Sequence, residues 1–297
     1  MRRARPAAVP DESSIIRHFH PGTRAPEGPP VIARRLLVPT SACALALAFL
    51  AAPAAAQKKA PDGAKVLLLS GGQRQHHGYR EQALYLQGLL ENTGRYEVTI
   101  CEDAAILETP ALAKYDILIV TADRRDPEFR FTESQQKAIF RHVHDGHGYV
   151  SIHGGDNAPN DWLPEWRDML GGIYSHDTRG GKPDGRARKG TFPVRLVTPG
   201  HPILKGLADF TLKDELYTNI QMEPGVEPLA VAAFEGRDWP VAWTRTYGRG
   251  KVFHTPLGHR DFGPDRDDPL RDPNLSRLVL QGIDWVAAEI GKAPGKP

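Results

Sequence analysis

The chain has 297 residues, 40% of them apolar and 25% charged, the proportions of one large or two small globular domains. Its formal charge of +2 is unevenly placed. Seven arginines against three acids fall in residues 1–56, so that of 38 basic and 36 acidic residues 31 and 33 remain in 57–297, a net of −2. A mature domain so near neutrality excludes an electrostatic case for nucleic acid or an anionic membrane as partner.

Residues 1–30 are rich in Pro and Arg and have no apolar periodicity, so they are expected to be disordered or an upstream extension from a start assigned too early, with Val31 as the alternative first residue. Residues 31–56 have the anatomy of a cleaved secretory signal: Arg34-Arg35, an apolar run from Leu36 to Leu50, then Ala54 and Ala56 at A-x-A spacing before Gln57-Lys58-Lys59. The run is too short to span a bilayer comfortably. The expectation is export, to the periplasm or beyond, with no stable membrane insertion after cleavage. Cleavage after Ala56 leaves Cys101 as the single cysteine, so no intramolecular disulfide can form.

After a linker over 57–64, a domain is expected over 65–291, followed by a tail over 292–297. Lys65–Ser70 is a continuous apolar run of the kind found where both sheet faces are covered. Gly71-Gly72 leads to His76-His77, and a helix follows over 79–92 with Ala83, Leu84, Leu86, Leu89 and Leu90 on its expected buried stripe. Tyr96–Cys101, Asp116–Val120 and Gly148–His153 read as further strands. Thr132 and Gln135 form a capping box for a helix over 133–145. Another helix is expected over 160–170, then an exposed, mobile basic loop over 178–190. Strands follow at 192–197, 210–217, 229–234, 241–246 and 251–255, and a last helix at 274–289. This order predicts an α/β fold: a flavodoxin-like, doubly wound, mostly parallel sheet with a strand-rich, elaborated C-terminal half.

Ligands in such sheets bind off the carboxyl ends of the strands. Three polar clusters follow the first, third and fourth strands: His76-His77, Asp123-Arg124-Arg125 and His153-Gly154-Gly155-Asp156. His176, Asp214-Glu215 and His259 add further candidates. Clustered imidazolium ions repel by about 4 kcal/mol at 4 Å and an effective dielectric near 20, so these histidines are expected to be neutral. Neutral imidazole suits metal ligation or general-base work. A divalent metal is the one cofactor indicated, with His77, His153, His176 and Glu215 as its candidate ligands. His142, His144 and His147 read as a solvated helix end, His201 as a turn residue, and His254 as a half-buried strand residue. Arg124 either binds an anionic substrate or pairs with Asp126.

Tyr149-Val150-Ser151-Ile152-His153-Gly154-Gly155 resembles the nucleophile elbow of class I glutamine amidotransferases, with His153 where their cysteine stands. Gly171–His176, His201-Pro202-Ile203 with Gly206-Leu207, Asp214–Tyr217 and Gly248–Phe253 running into Leu257-Gly258-His259 follow in order. Together these segments resemble the trehalose-utilisation (ThuA-like) family over about 65–289. The resemblance implies the amidotransferase-like, flavodoxin-like fold without its thiol chemistry, since Cys101 lies in no elbow. It also implies a small-molecule carbohydrate partner, a disaccharide or glycoside or its 3-keto derivative, turned over by a hydrolase or lyase. His153, His259 and Glu215 are then the catalytic candidates, with His153 or His259 as base. His77, Arg124, Asp156, His176 and Tyr217 are expected to bind substrate. The rival reading is a non-catalytic carbohydrate-binding or accessory domain using Trp162, Trp166, Trp239 and Trp243. A redox flavodoxin is excluded because Ser70–His76 lacks a Ser/Thr-rich phosphate cradle and no dinucleotide fingerprint is present.

Overall fold

Strands β1 (Ala64–Leu69), β2 (Tyr96–Cys101), β3 (Ile117–Val120) and β4 (Gly148–Ile152) alternate with helices α1 (Tyr79–Glu91) and α2 (Glu133–His144). Helix α3 (Glu165–Leu170) and the short strands β5 (Gly172–Ile173), β6 (Thr178–Arg179) and β7 (Lys182–Pro183) follow. The second half comprises β8 (Arg186–Leu196), β9 (Phe210–Thr218), β10 (Gln221–Met222), β11 (Pro228–Phe234), β12 (Arg237–Tyr247), β13 (Gly250–Thr255) and α4 (Pro273–Glu289). This computed structural model describes residues 63–291 apart from 73–76, 125, 158–161, 175–177, 180–181, 184–185 and 263–266. The expected upstream extension, signal and tail therefore lie outside the described residues, as do His76, Arg125 and His176.

One nine-stranded sheet organises the fold, in the order β2-β1-β3-β4-β13-β12-β11-β8-β9. The pairings from β2 through to β13 are parallel, and those from β13 to β9 are antiparallel. The order of the parallel half, 2-1-3-4-13, is consistent with the flavodoxin-like arrangement. The expectation of a mostly parallel sheet needs correction, because the strand-rich half extends the same sheet with antiparallel strands.

Period-two alternation splits each central strand between two cores. Val66, Leu68, Ile117, Ile119, Val150 and Ile152 face α1 and α4, while Leu67, Leu69, Leu118, Val120 and Tyr149 face α2 and α3. Helices on both faces explain why β1 reads as an unbroken apolar run. The capping box at Thr132 and Gln135 is present at the start of α2. Helix α3 is shorter than expected and begins at Glu165.

The expected loop over 178–190 is another correction. Thr178–Arg179 pairs with Lys182–Pro183, and Arg186 already begins β8. Strand β8 pairs with β9 from Arg186↔Thr218 to Val194↔Phe210, whereas only Val194–Leu196 pair with β11. Residues 186–193 and 211–218 therefore overhang the sheet as a two-stranded arm. The segment is strand rather than loop, while Arg186 and Lys189 remain exposed, as the basic composition led one to expect. Among the described residues no helix is long and apolar enough to cross a membrane.

Candidate active site

Parallel strands present their carboxyl ends on one sheet edge, so the segments after β1, β3, β4 and β13 meet there. Gly72 (φ +104°) forms an isolated bridge with Asp123, and a Cβ built on it would lie 2.4 Å from the Asp123 carbonyl oxygen. Only glycine permits that approach, which draws the β1 and β3 loops together. Past β4, His153 adopts φ +48°, a left-handed conformation that a side chain enters only under constraint. The overhanging arm adds Glu215 and Tyr217 from β9. Four strand spacings separate β13 from β9, about 19 Å in a flat sheet. The overhang closes that distance.

Four donor groups converge: His77 Nε2, His153 Nε2, His259 Nδ1 and a Glu215 carboxylate oxygen, all within 4.8 Å of one another. From His153 Nε2 the distances are 3.3 Å to His77 Nε2, 2.9 Å to His259 Nδ1, 3.6 Å to Glu215 Oε2 and 2.9 Å to the Tyr217 hydroxyl. Each imidazole is gripped at its far nitrogen. His153 Nδ1 lies 2.9 Å from the Pro256 carbonyl oxygen, His259 Nε2 2.9 Å from Asp261 Oδ1, and His77 Nδ1 2.9 Å from the Tyr79 hydroxyl. Because a carbonyl oxygen only accepts, His153 carries its proton on Nδ1 and directs the Nε2 lone pair inward.

His259 has acceptors at both ends. Asp261 faces Nε2, while His153 Nε2 and Glu215 Oε2, at 3.2 Å, face Nδ1. A neutral imidazole leaves one nitrogen bare against an acceptor, so the site calls for a cation there, a proton or a metal ion. The electrostatics agree. Burial pushes the His259 pKa down, but the hydrogen bond and charge of Glu215, with Asp261, leave it raised. Burial pushes Glu215 up, yet His259, His77 and Lys189 hold it below the usual carboxylate range. Burial likewise opposes ionisation of Asp261, and its bonds to Lys189 and His259 bring it down to about 2.

Asp214 ties the arm to the sheet edge. Its buried carboxylate accepts backbone N–H bonds from Glu215 (2.7 Å), Gly258 (2.7 Å) and His259 (3.0 Å). Burial pushes its pKa up to about 7 against the pull of those donors.

Of the predicted residues, His77, His153, Glu215, Tyr217 and His259 come together, while His176 lies outside the described residues. Asp156 does not reach the cluster. It is wholly buried, 3.1 Å from His254 Nε2, behind the turn that carries His153. Arg124 meets neither an open cleft nor Asp126. Its buried guanidinium donates to the carbonyls of Ser70, Glu102 and Phe129, and burial lowers its pKa. Two other expectations change at the histidines, and a third holds. His142 is buried and its pKa is lowered to about 3, chiefly by burial, so it is not part of a charged helix end. His254 is fully buried rather than half-buried, and His201 accepts from Ile203 N, as a turn residue should.

Trp162, Trp166 and Trp243 lie in the core, and the Trp239 indole donates to the Phe234 carbonyl, so none of the four is an open platform for a sugar. The sequence reading missed Tyr79, Asp261, Pro256 and Lys189. For Asp261 a signal existed in the His259-x-Asp261 spacing. Tyr79 and Pro256 act through a hydroxyl and a backbone carbonyl, which no residue pattern announces.

Residues 65–286 match the ThuA family, described as trehalose utilisation. No curated protein matches the chain. Among solved structures, a ThuA-like protein from Parabacteroides merdae is 23% identical, covers 79% of this chain and 93% of its own, and superposes with a TM-score of 0.63. Another from Bacteroides uniformis is 17% identical, with coverages of 80% and 96% and a TM-score of 0.59. A cytoplasmic protein from Salmonella typhimurium is 12% identical, with coverages of 75% and 98% and a TM-score of 0.51. At these identities the likeness concerns the fold.

Proposed function

The chain belongs to the ThuA family, and from that premise we propose that it is a carbohydrate-processing enzyme whose centre is His77, His153, His259 and Glu215. The substrate is a disaccharide, a glycoside or its 3-keto derivative. What carries this reading is His259, which meets acceptors at both nitrogens inside a cluster of converging lone pairs.

A divalent metal ion answers that demand. The donor set fits: three imidazole nitrogens suit zinc and related first-row ions and leave the Glu215 carboxylate beside them, and donors on a tetrahedral ion stand about 3.4 Å apart. The supporting shell also fits, since ligating histidines characteristically engage a carboxylate, carbonyl or hydroxyl at the far nitrogen, as Asp261, Pro256 and Tyr79 do. A bound ion would supply Lewis-acid stabilisation of a developing oxyanion.

With the imidazoles facing one another, the base role passes from His153 or His259 to Glu215, which is held ionised and partly exposed. On a 3-keto glycoside the C2–H bond is acidified by the neighbouring ketone. Its proton goes to Glu215, the electron pair forms the C1–C2 double bond, and the C1–O bond breaks. The departing oxygen takes a proton from the Tyr217 hydroxyl, and Glu215 returns one to Tyr217 through solvent. No nucleophilic cysteine is needed, consistent with Cys101 at the end of β2.

Elemental analysis of the full-length protein, supplied with zinc and manganese, should find one ion per chain. His153→Ala and His259→Ala should lose it, and Asp261→Asn should weaken it about 10- to 100-fold. Metal-free protein that turns over a keto-glycoside at full rate would remove the ion from the mechanism. Full turnover by Glu215→Gln would remove Glu215 as base.

A further inference from the structure

Tyr217 reaches the centre from the overhanging arm. Ala187 lies beside it on β8, but β11 pairs only with Val194–Leu196, so no third strand steadies it. Its hydroxyl nevertheless stands 2.9 Å from His153 Nε2, at the tip of a long side chain. The backbone bonds to Asp214 fix the strand, not the orientation of a ring farther along it. Working geometry at such a centre is kept to within about 0.5 Å, so the ring itself needs a support.

Tyr174 supplies one. Its ring stacks on that of Tyr217 with centroids 3.9 Å apart and planes 12° from parallel. That is closer than the spacing of about 4.5–7 Å usual for aromatic pairs. Both side chains are almost wholly buried. The segment leading to Tyr174 is fastened at successive residues. The Trp243 indole donates to the Leu170 carbonyl (2.8 Å), and the Glu223 N–H donates to the Gly171 carbonyl (2.9 Å). Gly172–Ile173 then pairs with Gln221–Met222, just past β9. Tyr174 itself forms a parallel bridge with Asn157, which ends the turn begun by His153. One residue thus joins the two segments that must meet, the His153 turn through its backbone and Tyr217 through its ring.

We propose that Tyr174 is a positioning residue whose ring face sets the Tyr217 hydroxyl against His153 Nε2. It acts through Tyr217, so the centre requires its ring and not its own hydroxyl. Without the stack, the Tyr217 ring can turn and its hydroxyl leaves His153. The inference rests on the proposed function only in what that hydroxyl does, which is to protonate the departing oxygen.

Imidazole ¹⁵N NMR of the full-length protein, freed of metal by chelation, tests this. A hydrogen bond onto a bare ring nitrogen shifts its resonance, and Tyr217→Phe supplies the reference for His153 Nε2 without that bond. Tyr174→Leu should move the His153 resonance most of the way to the reference, with circular dichroism unchanged. Tyr174→Phe should keep the wild-type position. Should leucine unfold the protein, Tyr174→Met, whose flexible chain fills irregular gaps, is read in the same way. On a keto-glycoside, Tyr174→Leu should lower kcat about 10- to 100-fold with KM within about twofold of wild type, and Tyr174→Phe should not. A wild-type His153 resonance in folded Tyr174→Leu or Tyr174→Met would overturn the proposal. So would a Tyr174→Phe protein that resembles Tyr217→Phe, or a Tyr217→Phe protein whose His153 resonance is unmoved. The proposed function fails separately. Full turnover by Tyr174→Leu with the His153 resonance displaced would end the role of Tyr217 as acid and leave the positioning standing.

Discussion

His153 and His142 show how differently one residue type is used. His153 is held at φ +48° by the strand-to-turn geometry, and its Nδ1 bond to the Pro256 carbonyl assigns the inward lone pair to Nε2. His142 is equally hidden but lies outside the centre, stacked on His147 with ring centroids 3.9 Å apart. Burial first, and the charge of His147 second, lower its pKa to about 3, against opposing contributions from Asp116 and Asp145. In the unfolded chain the same imidazole titrates near 6.5. The folded value is the depressed one, so the stability linked to His142 is complete above about pH 6.5 and is lost as pH falls toward 3. Within that window the slope approaches about 1.4 kcal/mol per pH unit. Urea denaturation at pH 4.5 and 7.5 should show a smaller acid loss in His142→Gln than in wild type. An equal loss in both would mean that His142 accepts its proton without unfolding.

Helix α4 lies close against the parallel sheet, and a glycine near its middle explains how. A Cβ built on Gly282 would stand 2.3 Å from the ring of Phe253, a wholly buried residue of β13. Alanine is the better helix former by about 1 kcal/mol, and in an exposed helix it would stabilise. Here the methyl group must push the helix away from Phe253 or distort the ring, at about 1–3 kcal/mol. Chemical denaturation should therefore find Gly282→Ala destabilised by up to about 2 kcal/mol. A stabilised variant would place α4 farther from β13 than the structure has it. The β8–β9 arm is the other element with a consequence at a distance. Lys189 on the arm lies 2.5 Å from Asp261, and Asp214 binds the backbone of the His259 turn, so the arm braces the edge it overhangs.

At the scale of the whole molecule, the described residues fall in one compact unit, residues 57–297. We propose that this unit is exported after removal of the segment before Gln57, on the strength of the apolar run and Ala54-x-Ala56. N-terminal sequencing of protein recovered from cells expressing the full chain should begin at Gln57. An intact N-terminus on protein retained in the cytoplasm would reject export.

The sequence by itself determined the alternation of strands and helices, the capping box of α2, and the placing of His77 and His153 after strands, because these depend on local period, capping and turn chemistry. It also supplied the family, whose motifs run through the whole domain. Tertiary structure decided what depends on distance across the sheet. It turned the strand-rich half antiparallel, made the basic segment into an arm, and carried Glu215 and Tyr217 from an edge strand to the histidines. It withdrew Asp156 and Arg124 into the interior, since a charged residue near a strand end reads alike in sequence whether it faces a cleft or a carbonyl. The opposed acceptors of His259 arise from three separate chain segments, and only their meeting defines the cation site.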